Sequence, residues 1–139
     1  MEPNCRERYY RLNHSIRTLR SEISMAGFDQ LGRAALADGA MSRKSKELIC
    51  LGIAISARSE DCIMYHVHDA ICAGATREEI LETIEVAILM GGGPAVVYGT
   101  KALHALEQFQ AARMRVPTCR RAEESREESK NEDETEVAR

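Results

Sequence analysis

The residues of this sequence best suited to chemistry lie in the segment 59–66, which reads Ser-Glu-Asp-Cys-Ile-Met-Tyr-His. Cys62 and His66 are four residues apart, so on a helix their side chains share one face, with Cβ atoms about 5 to 6 Å apart. If Ser59 is the N-cap, Cys62 occupies the third helical position, where backbone N–H groups and the positive helix end favour a thiolate. The two carboxylates between Ser59 and Cys62 oppose the thiolate, so the pattern predicts a thiol beside a base and leaves its protonation open.

Glu47 is the second candidate, because it adjoins the apolar run 48–55 on a helix that we expect to be buried. A buried carboxylate needs a partner. By orienting His66 it would complete a relay of Glu47, His66 and Cys62 and set the tautomer of the imidazole. The alternative is that Glu47 lies in the first turns of its helix and faces solvent, as charged groups at helix starts commonly do.

Metal binding is a further alternative, since Cys62, His66 and Glu47 could hold zinc with one open coordination position. His68 does not join this set, because two residues subtend about 200° on a helix and face apart. We therefore expect His68 at the surface or in an interface. No motif in the sequence demands a metal or another cofactor.

Five cysteines at irregular spacing predict free thiols rather than a disulfide framework. Cys50 lies one helical turn beyond Glu47 and is the nearest candidate for a resolving thiol, although a buried core thiol is the simpler interpretation. The N-terminus lacks the charged-then-apolar pattern of a signal peptide, which predicts a cytoplasmic, reducing environment.

The composition predicts one domain that binds neither nucleic acid nor membranes. The chain has 139 residues, of which 44% are hydrophobic, and a net charge of −3. The excess of acidic over basic residues lies in the segment 117–139. The rest of the chain is therefore neutral and has no basic stripe to contact phosphates. Its apolar runs are much shorter than the roughly 18 residues of a membrane-spanning helix.

Helical periodicity throughout predicts an all-α fold of about six helices. Ser42 is expected to cap the third helix, Gly39 to follow the second as a C′ glycine, and Thr76 with Glu79 to form a capping box. The third helix is apolar on every side in its second half, which predicts burial on all faces. The six expected ranges are 8–23, 28–37, 43–57, a segment from 60 to about 74, 77–90 and 94–113.

The folded domain is expected to span residues 6–116, followed by a disordered charged tail at 117–139. Short helices with apolar faces this wide cannot easily bury all their surface within one chain. We therefore expect a homo-oligomer.

The spacing of the candidate residues resembles a known signature. Glu47, eleven residues, Ser59, two residues, Cys62, three residues and His66 resemble the motif of the AhpD-like alkylhydroperoxidase and carboxymuconolactone decarboxylase superfamily. The segments 70–80 and 86–95 are also similar to its small single-domain members, so the resemblance covers about residues 28–109. Ser59 stands where the family has the first cysteine of its Cys-x-x-Cys pair.

The resemblance implies an oligomeric, thiol-dependent peroxide reductase. Cys62 would attack a hydroperoxide and become a sulfenic acid, with His66 and Glu47 as the proton relay. Ser59 cannot close the family's disulfide, so recycling would need Cys50, Cys72, a thiol from a neighbouring subunit or a small-molecule thiol reductant. Two alternatives stay open: a non-catalytic redox-sensing or binding oligomer, and a decarboxylase-like lyase, a branch that does not depend on the thiol motif.

Overall fold

The computed structural model describes residues 4–113, which form six α-helices and no strand. The all-α, six-helix prediction is therefore confirmed. None of the described helices is long and apolar enough to cross a bilayer. The expected tail at 117–139, which contains Cys119, lies outside the described residues. The helices are α1 Cys5–Glu22, α2 Ala26–Leu36, α3 Arg43–Ser56, α4 Glu60–Cys72, α5 Arg77–Gly91 and α6 Gly93–Arg113.

Local capping sets the starts of the central helices. The Ser42 side chain accepts a hydrogen bond from the backbone N–H of Ser45 and so begins α3. Thr76 and Glu79 form the reciprocal capping box at the start of α5, as the sequence predicts. Both features satisfy backbone donors that have no partner inside the helix.

The end of α2 differs from the prediction. The helix stops at Leu36 and leaves through Ala37 in an extended conformation. Gly39 is not among the described glycines with a positive φ, which are Gly74 and Gly92. The C′ role expected for Gly39 is therefore wrong, because the chain has already left the helix before it reaches this glycine.

The hydrophobic core lies where α3 packs against α4 and α5, and α6 closes it with small and apolar side chains. Gly99 lets α6 approach α5 closely, since a Cβ at this position would lie 3.0 Å from Cγ2 of Ile84. The core side chains with the least exposure on α3 to α6 are Leu51, Ile55, Ile63, Val67, Ala70, Ile80, Ala102 and Leu106.

One side of α3 is open, which corrects the expectation that it is buried on all faces. Ile49 is 47% exposed and Ile53 is 62% exposed. They line an apolar groove of about 630 Å³, here called the α3/α5 groove, together with Val86 and Met90 of α5. The helices packed on α3 cover its other sides within this chain and leave this strip uncovered.

Candidate functional site

Glu47 and His66 meet across the α3–α4 contact. Glu47 has no exposed surface, and its Oε2 lies 2.9 Å from Nδ1 of His66. The solvent-facing alternative for Glu47 is therefore wrong. The His66 side chain is 19% exposed. Glu47 is therefore the buried member of the pair, and His66 is the member that reaches solvent.

This contact assigns the histidine tautomer. A carboxylate only accepts hydrogen bonds, so Nδ1 of His66 is the protonated nitrogen in the neutral ring. Nε2 then carries the free lone pair and is the nitrogen that can take a proton. A histidine oriented by a carboxylate in this way is arranged for general-base work.

Cys62 lies in the first turn of α4, one helical turn before His66. It is exposed and is a free thiol. Ser59 is the N-cap residue, but its side chain makes no capping hydrogen bond. The backbone N–H groups of the first turn are thus not occupied by that hydroxyl, and the positive helix end acts on the thiol position.

The two carboxylates beside Cys62 are both paired with cations from other helices. Lys101 of α6 donates to Glu60 at 2.6 Å, and Arg8 of α1 donates to Asp61 at 2.8 Å. The sequence alone left these carboxylates as opponents of a thiolate. Their pairing offsets part of that repulsion, although all four groups are solvent-exposed enough for screening to be substantial.

A buried polar network continues behind Glu47. Nη2 of Arg43 lies 3.2 Å from Oε1 of Glu47 and 3.7 Å from Oδ2 of Asp69. Asp69 is only 4% exposed, and its Oδ1 accepts from Tyr9 at 3.0 Å. Sequence reasoning missed this network, although the four-residue spacing of Arg43 and Glu47 on one helix was a signal for the first pair.

His68 is buried, which corrects its expected surface position. It is 7% exposed, and its Nδ1 lies 2.9 Å from Oδ1 of Asp69. Its ring stacks on Tyr9, with centroids 3.9 Å apart, and meets Phe109 edge-on at 5.2 Å. The prediction failed because α1 and α6 both contribute rings to that side of α4.

Tyr9 is a stable hydrogen-bond donor in this network. Burial, together with the negative charge of Asp69, raises the pKa of Tyr9 far above its usual value. The hydroxyl therefore keeps its proton at every pH at which the protein is expected to work.

The other thiols differ from Cys62. Cys50 is partly buried on α3, and burial first, then the charge of Glu47, raises the pKa of its thiol. Cys5 is a free, buried thiol in the core. Cys72 is not one of the free thiols, so the expectation of free thiols holds for the other described cysteines and not for Cys72.

The residues described here do not form a metal site. Among residues 4–113, no group of three or more His, Cys, Asp or Glu side chains is arranged to hold an ion. The zinc alternative built on Cys62, His66 and Glu47 thus finds no support in this geometry. His66 and Glu47 form a hydrogen-bonded pair, and Cys62 lies one helical turn away without a hydrogen bond to His66 in the described part of the chain.

The model of the carboxymuconolactone decarboxylase family matches residues 24–108, which is more than half of the chain. The chain belongs to this family. The resemblance found in the motif is therefore confirmed, and the matched range contains Glu47, Ser59, Cys62 and His66.

Two sequence relatives and two solved structures extend this result. An uncharacterized protein of Cupriavidus necator is 35% identical over 88 residues, covering 63% of this chain and 78% of that protein. Uncharacterized protein 4 in the cox locus of Paracoccus denitrificans is 38% identical over 97 residues, covering 66% of this chain and 87% of that protein.

Among solved structures, a carboxymuconolactone decarboxylase family protein of Legionella pneumophila, in its apo form, is 37% identical with a TM-score of 0.72. The similarity covers 76% of this chain and 96% of that one. A family protein of Thermotoga maritima, described with a possible involvement in antioxidative response, is 27% identical with a TM-score of 0.72 and covers 78% and 97%.

Proposed function

We propose that this protein is a thiol-dependent peroxide reductase, with Cys62 as nucleophile, His66 as base and Glu47 as the residue that orients His66. The observation that carries the proposal is the buried Glu47 carboxylate 2.9 Å from His66 Nδ1, one helical turn from an exposed free thiol. Burial of a carboxylate is costly without a partner, so the position of Glu47 against His66, which is 19% exposed, favours a proton relay over a packing role.

The proposed step transfers one oxygen to sulfur. The Cys62 thiol gives its proton to His66 Nε2, and the thiolate attacks the terminal oxygen of an alkyl hydroperoxide. An S–O bond forms, the O–O bond breaks, and the alkoxide leaves and takes the proton back from His66. Cysteine is oxidised to sulfenic acid while the hydroperoxide is reduced to an alcohol. Positioned proton transfer of this kind contributes roughly 10² to 10⁴ in rate.

Recycling needs a thiol other than the residue at position 59. Ser59 cannot form a disulfide, and Cys50 has a raised pKa that lowers its thiolate fraction at neutral pH. We propose that an external thiol reductant condenses with the sulfenic acid, releasing water. A second thiol then attacks this mixed disulfide, which restores the Cys62 thiol and yields an oxidised disulfide product.

The antioxidative role suggested for the Thermotoga maritima relative supports this reading over the lyase alternative. The missing partner cysteine at Ser59 supports the redox-sensing alternative, because a sulfenic acid without an internal resolving thiol persists longer. The two readings share the first oxidation of Cys62 and differ in turnover.

The test follows the first oxygen. Reduced protein is treated with substoichiometric alkyl hydroperoxide and a sulfenic-acid trap, and the adduct is mapped by mass spectrometry. We expect fast, selective trapping at Cys62 and slower modification at Cys50. Cys62→Ser should abolish hydroperoxide consumption, and His66→Ala should slow it by roughly 10² or more. Cys50→Ser is the matched control and should leave the rate unchanged, because an external thiol is proposed to recycle the sulfenic acid.

The outcomes separate the candidate functions. Full hydroperoxide consumption in Cys62→Ser would refute the proposal. Oxidation of Cys62 without multiple turnovers, tested with several thiol reductants, would favour a redox sensor. Decarboxylation of a lactone substrate that survives the loss of Cys62 would favour the lyase.

We also propose that the protein is a homo-oligomer in which a second copy covers the α3/α5 groove. Ile49, Ile53, Val86 and Met90 line this groove as large exposed apolar side chains, and Met90 is 79% exposed. Apolar patches of this kind are uncommon on proteins that remain monomeric. A second copy also explains why the second half of α3 is apolar on every side although the described residues leave one of those sides uncovered.

A further inference from the structure

We propose that Arg43 is a positioning residue that offsets the charge of Glu47 and aims its carboxylate at His66, and that Arg43 is itself held in place from α1 through Asp69. The inference rests on the proposed function of this site, since it concerns the proton balance of the same Glu47–His66 pair. It names a residue outside the Glu, Ser, Cys and His positions of the motif.

The first argument is charge balance. Glu47 and Asp69 are 0% and 4% exposed, and two carboxylates this close to each other in the interior repel. The Arg43 guanidinium contacts one oxygen of each, at 3.2 Å and 3.7 Å. Without this cation, the charge of the two carboxylates is uncompensated, and the titratable groups beside them, Cys62 included, hold their protons to higher pH.

The second argument is geometric. Each Glu47 oxygen has one partner, with Arg43 on Oε1 and His66 on Oε2. Because the guanidinium fixes one oxygen, the carboxylate cannot rotate without losing a charged contact. The other oxygen is thereby aimed at His66 Nδ1, which sets the tautomer that leaves Nε2 available.

The third argument concerns what holds Arg43. Its second carboxylate partner, Asp69, accepts from the Tyr9 hydroxyl and from His68 at its other oxygen. Tyr9 lies on α1 at residues Cys5–Glu22, outside the range 24–108 that the family model matches. The N-terminal helix of this chain thus contributes directly to the electrostatics behind the site.

Other charged or titratable groups surround the pair and enter the pH dependence. Cys50 lies on the same helix as Glu47, and Cys62 shares α4 with its two paired carboxylates. The charged or titratable groups on the elements packed around the pair are Arg8 and Tyr9 of α1, Arg43, Lys44 and Cys50 of α3, Glu60, Asp61, Cys62, Tyr65, His66, His68 and Asp69 of α4, Glu79 of α5, and Lys101 of α6.

The expected effects have opposite signs. Removing a positive charge makes every neighbouring group retain its proton to higher pH, and removing a negative charge does the reverse. Arg43→Gln should therefore move the pH midpoint of Cys62 alkylation upward by about 0.5 to 1 unit. Arg43→Lys keeps the positive charge, so its midpoint should lie close to that of the unmodified protein. Asp69→Asn should move the midpoint downward, because it removes one negative charge while Arg43 keeps its contact with Glu47.

The test measures the rate of iodoacetamide addition to Cys62 as a function of pH, by mass spectrometry on the full chain. Lys44→Gln is the matched control, since it removes one positive charge from the neighbouring position of α3, where the side chain pairs with Glu79 at 2.6 Å. Its profile should coincide with that of the unmodified protein.

The opposite directions for Arg43→Gln and Asp69→Asn separate electrostatics from structural damage, because damage would affect both in the same direction. If Arg43→Gln gives the unmodified profile, or if Lys44→Gln shifts as far, the inference is wrong. Its failure is distinct from failure of the proposed function, which would appear as no hydroperoxide consumption by the unmodified protein. Alkylation profiles do not depend on that activity.

Discussion

Helix α3 presents two opposite faces that reverse the usual placement of polar and apolar side chains. Toward α4 it buries Glu47 completely, with Arg43 beside it and His66 as a partner. Toward the α3/α5 groove it leaves Ile53 62% exposed, only six residues away along the same helix. A soluble helix ordinarily places its apolar stripe inward and its charges outward.

The difference shows where the buried charges of α3 find partners and where its apolar side chains remain uncovered. The buried charged face has partners within the same chain, since the two hydrogen-bond partners of Glu47 among the described residues, Arg43 and His66, lie on α3 and α4. The exposed apolar face has no covering element among the described residues, and a second copy is our proposed cover. The polar contacts of Glu47 thus lie within one chain, while the surface that we propose for association lies on the other side of the helix.

The largest effect is expected from removal of the buried carboxylate on the polar face of α3. Glu47→Ala leaves Arg43 and His66 without their buried acceptor, and breaking a buried ion pair from one side costs about 3 kcal/mol. We expect the free energy of unfolding in urea to fall by that amount. Glu85→Ala, at an exposed glutamate of α5, is the control and should change stability by less than about 0.5 kcal/mol. Equal effects of the two substitutions would mean that the Glu47 contacts contribute nothing to folding.

Association through the apolar face of α3 is tested by placing a charged side chain in the α3/α5 groove. Ile53→Asp should leave the fold of the single chain intact but weaken association by about 2 kcal/mol, roughly 30-fold in dissociation constant. Light scattering after size-exclusion chromatography measures the mass. Leu19→Asp, at an equally apolar but separate site on α1 that is 47% exposed, is the control. Dissociation by Leu19→Asp alone would place the interface elsewhere, and a monomeric unmodified protein would refute the oligomer proposal.

Local signals in the sequence predicted the helices well. The capping box of Thr76 and Glu79 and the Ser42 cap depend only on residues three positions apart, so they can be read without knowing the fold. Gly39 failed because the backbone exit of α2 is decided by Ala37, which carries no comparable signal.

The site was predictable only in part, because local spacing can be read from one sequence and contacts between distant residues cannot. The spacing of Cys62 and His66 on α4 is local, and the motif supplied Glu47. The partners of Glu60 and Asp61 come from α6 and α1, and the burial of His68 depends on Tyr9 and Phe109. These contacts join residues more than 40 positions apart, and one sequence holds no signal that pairs them.

A smaller effect is expected where α6 approaches α5. A Cβ at Gly99 would lie 3.0 Å from Cγ2 of Ile84 and 3.3 Å from Cδ1 of Ile88. Ile84 is buried and β-branched, so its side chain cannot easily turn away. We expect Gly99→Ala to destabilise the fold by about 1 to 2 kcal/mol in thermal or urea unfolding, despite the better helix propensity of alanine. A stability equal to or above that of the unmodified protein would show that α5 and α6 can separate at little cost.

The smallest effect has the opposite sign and lies in the groove. A Cβ at Gly52 of α3 would meet Cγ2 of Thr83 at 3.8 Å, an ordinary van der Waals distance. Within one chain nothing opposes Gly52→Ala, and the loss of glycine from a helix interior should stabilise the fold by about 0.5 to 1 kcal/mol. The same substitution therefore has opposite effects at positions 52 and 99, because one lies in an open groove and the other in a packed contact. If Gly52→Ala instead weakens association while the folded single chain stays stable, a second copy approaches this glycine closely and the groove is covered in the oligomer.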